Sequence, residues 1–133
     1  MKKIEHLGIA VKNLEESEKL FESLLNTHVY KREYVEEQKV TTSFLRAGNN
    51  KIELLKASSS DSVINKFIEK RGEGLHHVAF SVSDIRYEMA RLTKEGFTLL
   101  TEEPQNGADN KLVCFLHPKE ANGLLVELVQ DAD

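Results

Sequence analysis

The chain has 133 residues, 40% hydrophobic and 30% charged, a balance that fits one globular domain or two small modules sharing a core, and excludes a disordered or fibrous chain. With 22 acidic and 18 basic residues the net charge is −4, and no basic run is interleaved with aromatics, which excludes an ordinary nucleic-acid binder. A single cysteine, Cys114, excludes an intrachain disulfide, and no apolar run approaches the ~18 residues of a membrane span.

Residues 4–11 alternate, with Leu7, Ile9 and Val11 on one face and His6, Gly8 and Ala10 on the other, which predicts a strand. Asn13 followed by Glu16 is a capping pattern. Leu14, Phe21, Leu24 and Leu25 keep helical spacing, so a helix is expected over about 14–25. Strands are expected at 29–34, 40–46 and 51–56, with a turn at Gly48-Asn49-Asn50. A polar stretch, 57–61, leads into a short helix capped by Asp61 or Ser62. Its apolar side is Val63, Ile64, Phe67 and Ile68, and Gly72 ends it.

The order then repeats. A strand at 75–82 precedes a helix capped by Asp84, with Ile85, Met89 and Leu92 inward and Gly96 at its end. Strands are expected near 97–102, 111–116 and 124–130, with Asn122-Gly123 as a tight hairpin turn. Cys114 lies in the apolar run 112–116 and reads as a buried small hydrophobe. Glu5 and His6 interrupt the start of the chain where a signal peptide needs an apolar core, so a cytoplasmic location is expected.

Each half therefore reads β-α-β-β-β. The expected fold is α+β: two tandem βαβββ modules forming a curved eight-stranded sheet, with helices outside and a metal cleft inside. The domain would span 1–133, with module one over about 1–57, a connecting helix over about 58–73 and module two over about 74–130.

The repeat carries polar residues with it. His6 and His77 occupy equivalent places 71 residues apart, and Glu53 and Glu127 equivalent places 74 apart. On the strand period of two, His6 shares a face with Gly8 and Ala10, and His77 with Ala79 and Ser81. The bulky faces suit helix packing, while the small residues leave a hollow around each histidine. His76 points opposite to His77 and reads as a packing residue; His28 is expected to be exposed.

Two imidazoles and two carboxylates form a mixed N/O donor set for a divalent ion, Co, Ni, Mn or Zn. In an octahedral arrangement such a set leaves two positions. A 1,3-dicarbonyl compound filling both becomes a stronger carbon acid. Glu53 and Glu127 could then take a proton from one face of the carbon and return it to the other, so epimerisation or isomerisation beside a carbonyl is the expected chemistry.

With these residues the chain resembles the vicinal oxygen chelate superfamily and, within it, the methylmalonyl-CoA epimerases. The resembling stretches are 4–11, 51–55, 67–77 (ending His76-His77), Glu103-Pro104, Phe115-Leu116-His117-Pro118-Lys119 and 123–128, in order along the chain. The resemblance implies that His6, Glu53, His77 and Glu127 bind the metal and that (R)- and (S)-methylmalonyl-CoA interconvert through an enediolate. It further implies an acyl-CoA substrate and a homodimer. Some relatives carry another glutamate on the strand matching 40–45; the corresponding site falls near Thr41-Thr42, which cannot serve as a carboxylate base. Lys111, His117 and Lys119 are candidate contacts to the substrate carboxylate or the CoA phosphates. The four-ligand spacing also resembles glyoxalase I, a lactoylglutathione lyase. Two further readings are a non-catalytic small-molecule-binding protein of this fold and an iron dioxygenase with a two-His, one-carboxylate site.

Overall fold

The computed structural model describes residues 1–132. The chain falls into two compact units. The first is His6–His76; the second combines Met1–Glu5 with the chain from His77 onward.

The first unit contains most of β1 (Lys3–Ala10), then α1 (Leu14–Leu25), β2 (Lys31–Val35), β3 (Val40–Ala47), β4 (Asn50–Ala57) and α2 (Val63–Arg71). Its strands run in the order β2-β3-β4-β1. β4 is antiparallel to β3 and parallel to β1, so the chain leaves β1 through a helix and returns to lie beside it. α1 starts where Asn13 Oδ1 accepts from the Glu16 N–H at 3.0 Å, and it stops at Asn26, whose φ of 53° suits a left-handed cap. Leu14, Phe21 and Leu25 pack onto Leu45, Ile52 and Leu54, together with Leu7, Ile9 and Val11 of the first strand. Leu24 departs from the expected apolar side. It is exposed, because the inward stripe passes through Glu18 and Phe21 instead.

Glu18 is a buried carboxylate in that helix–sheet layer. It accepts from Arg32 Nε at 2.5 Å, from Arg32 Nη2 and from the buried Ser43 hydroxyl. The Arg32 hydrogen bonds hold its carboxyl below the ordinary range, against the opposing effect of burial. α2 is capped by Ser62, whose Oγ accepts from Ile64 N at 3.2 Å and donates to the Gln38 carbonyl. Ile64 is buried, but Val63, the first helical residue, is exposed rather than part of the apolar side.

The second unit holds most of β5 (Gly74–Ser81), then α3 (Ile85–Lys94), β6 (Gln105–Gly107), β7 (Lys111–Leu116) and β8 (Val126–Asp131). β5 is parallel to β8, β8 antiparallel to β7, and β7 antiparallel to β6. Asp84 caps α3 through the Tyr87 N–H, and Ile85, Met89 and Leu92 face Cys114, Leu116 and Leu128 as the periodicity predicts. Each unit thus repeats β-α-β-β-β in an α+β fold.

Two expectations change here. Residues 97–102 form no strand. Leu99 makes one isolated bridge to Leu116, and the second-strand role passes to β6, immediately after Pro104. Proline lacks the N–H a continuous ladder would use, so the edge is broken in two. Asn122-Gly123 is not a two-residue hairpin loop either. Both residues have positive φ, 56° and 83°, but they close a longer connection that includes a 3-10 turn at Pro118–Glu120. No helix among the described residues is long and apolar enough to cross a membrane.

Candidate metal centre

In the first unit the parallel register sets Gly8 opposite Glu53 and His6 opposite Lys51. Alternation then places His6 and Glu53 on one sheet face, with Leu7, Ile9, Ile52 and Leu54 on the helix side. His6 and Glu53 are 4% and 5% exposed, and Nδ1 lies 3.2 Å from Oε2. The second unit repeats the arrangement. Ala79 stands opposite Glu127, so His77 and Glu127 share a face. Each is 5% exposed, with His77 Nε2 at 3.0 Å from Glu127 Oε1.

These separations test the donor set against an ion. Two ligands each about 2.1 Å from one divalent cation, at a right angle, lie about 3.0 Å apart. Both His–Glu pairs match that spacing. Buried polar groups held together on one sheet face fit a divalent metal, and the N/O chemistry suits the borderline ions.

The repeat extends to a residue type that the sequence reading did not use. Phe44 is the cross-strand neighbour of Glu53, and Phe115 that of Glu127. The His77 and Phe115 rings meet edge to face, 5.9 Å between centroids. The signal was available: Phe44-Leu45 and Phe115-Leu116 are 71 residues apart, the same offset as the histidines. Beside His77, Ala79 packs with Val113, Val129 and Phe115, so neighbouring strands fill part of the space its small side chain leaves. Lys51, also overlooked, is buried on the Glu53 face.

The other candidates are placed as follows. Lys111 pairs with Asp131 at the start of β7. His117 Nδ1 accepts from the Lys119 N–H at 3.2 Å, so the imidazole caps the following 3-10 turn, on which Lys119 is exposed. Thr42 is fully buried on β3, opposite Leu55. His76 packs edge to face on Phe67 at 4.9 Å, and His28 is fully exposed in a loop. Burial, and then the Glu127 carboxylate, push the Cys114 thiol up to about 12, which excludes a thiolate nucleophile at neutral pH.

Comparison with known proteins agrees with this architecture. The sequence profile of the Glyoxalase/Bleomycin resistance protein/Dioxygenase superfamily matches residues 5–115. The chain is 37% identical over 130 residues to the uncharacterized protein YqjC of Bacillus subtilis, covering 98% of this chain and 93% of that one. It is 39% identical over 127 residues to a mitochondrial methylmalonyl-CoA epimerase of Dictyostelium discoideum, covering 95% and 76% respectively. Among solved structures, a Streptomyces coelicolor methylmalonyl-CoA epimerase variant in complex with 2-nitronate-propionyl-CoA superposes with a TM-score of 0.95. It is 32% identical, with 100% of this chain and 99% of that one covered.

Proposed function

From the chain's membership of the glyoxalase/bleomycin resistance protein/dioxygenase superfamily, we propose that it is a metal-dependent epimerase of (R)- and (S)-methylmalonyl-CoA. The observation that carries this reading is the duplicated, buried His–Glu pair with donor atoms about 3 Å apart in each unit. His6 and Glu53 in the first unit, and His77 and Glu127 in the second, are assigned as the ligands of a divalent ion, Co, Ni, Mn or Zn. Such an ion, when bound, supplies a Lewis acid beside the acyl carbonyls and lowers the pKa of the carbon between them.

The chain's own part is proton transfer. Inverting one carbon requires a base on one side and an acid on the other, and the duplication provides one buried carboxylate per module. Glu127 and Glu53 are assigned those roles. Thr42, on the strand where some relatives carry a further carboxylate, offers a hydroxyl that ionises far too weakly to share the task at neutral pH. The phenylalanines opposite the two glutamates shield the reacting carbon from water. Lys111, His117 and Lys119 are assigned to the acyl-CoA ligand, Lys111 and Lys119 through ammonium contacts to its carboxylate or phosphates. A cytoplasmic homodimer completes the reading, and light scattering on the purified protein checks the dimer.

Solvent-deuterium exchange into methylmalonyl-CoA tests the proposal. Label should enter at C2, stop on treatment with a chelator and return when the metal is restored. Exchange that survives chelation removes the metal from the mechanism. Turnover of the glutathione–methylglyoxal hemithioacetal without C2 exchange assigns the site to a lyase instead.

A further inference from the structure

Strand β7 runs into a histidine that the metal set does not use. Leu116 packs toward α3, so alternation turns Phe115, and His117 beyond it, to the face of Glu127. The backbone of His117 is still extended, with φ −66° and ψ 127°, which carries the alternation one residue past the strand. Phe115 is the cross-strand neighbour of Glu127, and His117 is therefore the diagonal one. Phe115, His117 and Glu127 all belong to the second unit.

The turn that follows fixes both the ring and its proton. The Lys119 N–H meets His117 Nδ1 at 3.2 Å. A backbone N–H can only donate, so Nδ1 is the acceptor and the neutral ring carries its hydrogen on Nε2. The His117 N–H donates to the Thr98 carbonyl at 3.0 Å. Glu120, at the end of the same turn, accepts from the Thr98 N–H at 2.5 Å and from its hydroxyl at 3.1 Å. Both ends of the turn are thus tied to Thr98. The imidazole is half-buried, and among the described residues Nε2 has no partner. An oriented N–H of this kind is ready to meet a ligand oxygen.

We propose that His117 is a further catalytic residue, whose Nε2–H donates to the thioester oxygen and stabilises the enediolate. This rests on the acyl-CoA reading above, with Glu127 as a base. When Glu127 takes the C2 proton, the C–H electron pair forms the C–C double bond and the carbonyl pair moves onto the thioester oxygen. Return of a proton to C2 reverses both shifts. A diagonal pair on one sheet face stands about 7–8 Å apart, which leaves room for carbon and carbonyl oxygen between base and donor. The donor's neutrality selects the oxygen. The free carboxylate is an anion before and after proton removal, so a bond to it lowers both states alike; the thioester oxygen gains its charge only on the way to the enediolate. Seventy-one residues earlier the place of His117 is held by Arg46, 4.9 Å from the Tyr30 ring, so this neutral donor is particular to the second module.

The test follows C2 deuterium exchange in wild type, His117→Ser and His117→Gln, with calorimetric binding of methylmalonyl-CoA and of propionyl-CoA, which lacks the carboxylate. Serine keeps a cap on the turn and removes the donor. His117→Ser should slow exchange at saturating substrate by about 10²-fold, the usual cost of one oxyanion donor. Its affinity for methylmalonyl-CoA should stay within about twofold, and its circular dichroism should be unchanged. Glutamine restores an N–H and should recover part of the rate. Exchange at the wild-type rate in His117→Ser would make the imidazole a cap alone. Weaker binding of methylmalonyl-CoA with propionyl-CoA unchanged would assign the donor to the carboxylate; either result overturns the proposal while wild-type exchange stands. If neither variant folds, the imidazole nitrogen NMR spectrum of wild type decides: the Nε2–H tautomer supports the proposal and the Nδ1–H tautomer overturns it. Absence of C2 exchange in wild type fells the epimerase reading, and this inference with it.

Discussion

Seventy-one residues after Glu18 and Ser43, the chain places Met89 and Cys114, so the same helix–sheet contact is built twice from different chemistry. In the first unit a buried carboxylate takes hydrogen bonds from Arg32 and a buried hydroxyl. In the second unit Met89 meets Cys114 inside an apolar cluster with Ile85, Leu92 and Leu128. The opposite sheet faces behave the other way round: histidine, phenylalanine and glutamate recur in both. Duplicated surfaces stay alike where the two copies share one task, and drift where each needs only to bury itself.

The sharpest way to break the comparison is to disable one carboxylate at a time. Glu127→Gln and Glu53→Gln should each slow C2 exchange by about 10²–10⁴-fold, the usual worth of a positioned acid or base, with folding intact by circular dichroism. Loss at one position only would assign the proton transfer to a single carboxylate. Next in size is Phe44→Ala, expected to cost about 3–5 kcal/mol in denaturant unfolding because the ring is fully buried. Phe115→Ala should cost less, since that side chain is only partly buried. Equal costs would show that exposure does not separate the two copies.

The helix-side difference gives a smaller, pH-dependent effect. The carboxyl of Glu18 is held below its ordinary value of 4.5. Its contribution is therefore complete above that ordinary value and disappears as pH falls through the lowered one. Amide exchange should show acid loosening α1 against β3 before α3 against β7, and simultaneous loosening would contradict it. At neutral pH Glu18→Ala strands the Ser43 hydroxyl and should cost about 1–3 kcal/mol. Smallest of all, Glu18→Met with Ser43→Cys copies the second unit into the first. Replacing both partners is close to neutral, so stability should stay within about 1 kcal/mol and the acid sensitivity should vanish.

How far the sequence reveals this molecule follows from the range of the forces involved. α1, α2 and α3 lie near their expected positions because Asn13, Ser62 and Asp84 bond their own first turns, a local interaction that spacing displays. The histidine and glutamate faces are legible because strand alternation is rigid and the pattern occurs twice. The edge near 97–107 is not legible. Whether a residue joins β7 there depends on which N–H groups reach it, and Pro104 divides the stretch in a way that hydropathy does not record. The burial of Glu18 and Lys51 also escapes composition. A charged residue can be buried only because specific partners reach it from elsewhere in the fold, as Arg32 and Ser43 do for Glu18.

The sole thiol of the chain sits against α3, sealed from solvent. An alkylating reagent can reach it only in molecules whose second unit has opened, and the first unit has no sulfhydryl to compete. The rate of Cys114 modification is thus a clock for that half alone. Run with and without divalent ion, it would report whether the ion proposed for His77 and Glu127 steadies that half, with no substrate and no turnover involved.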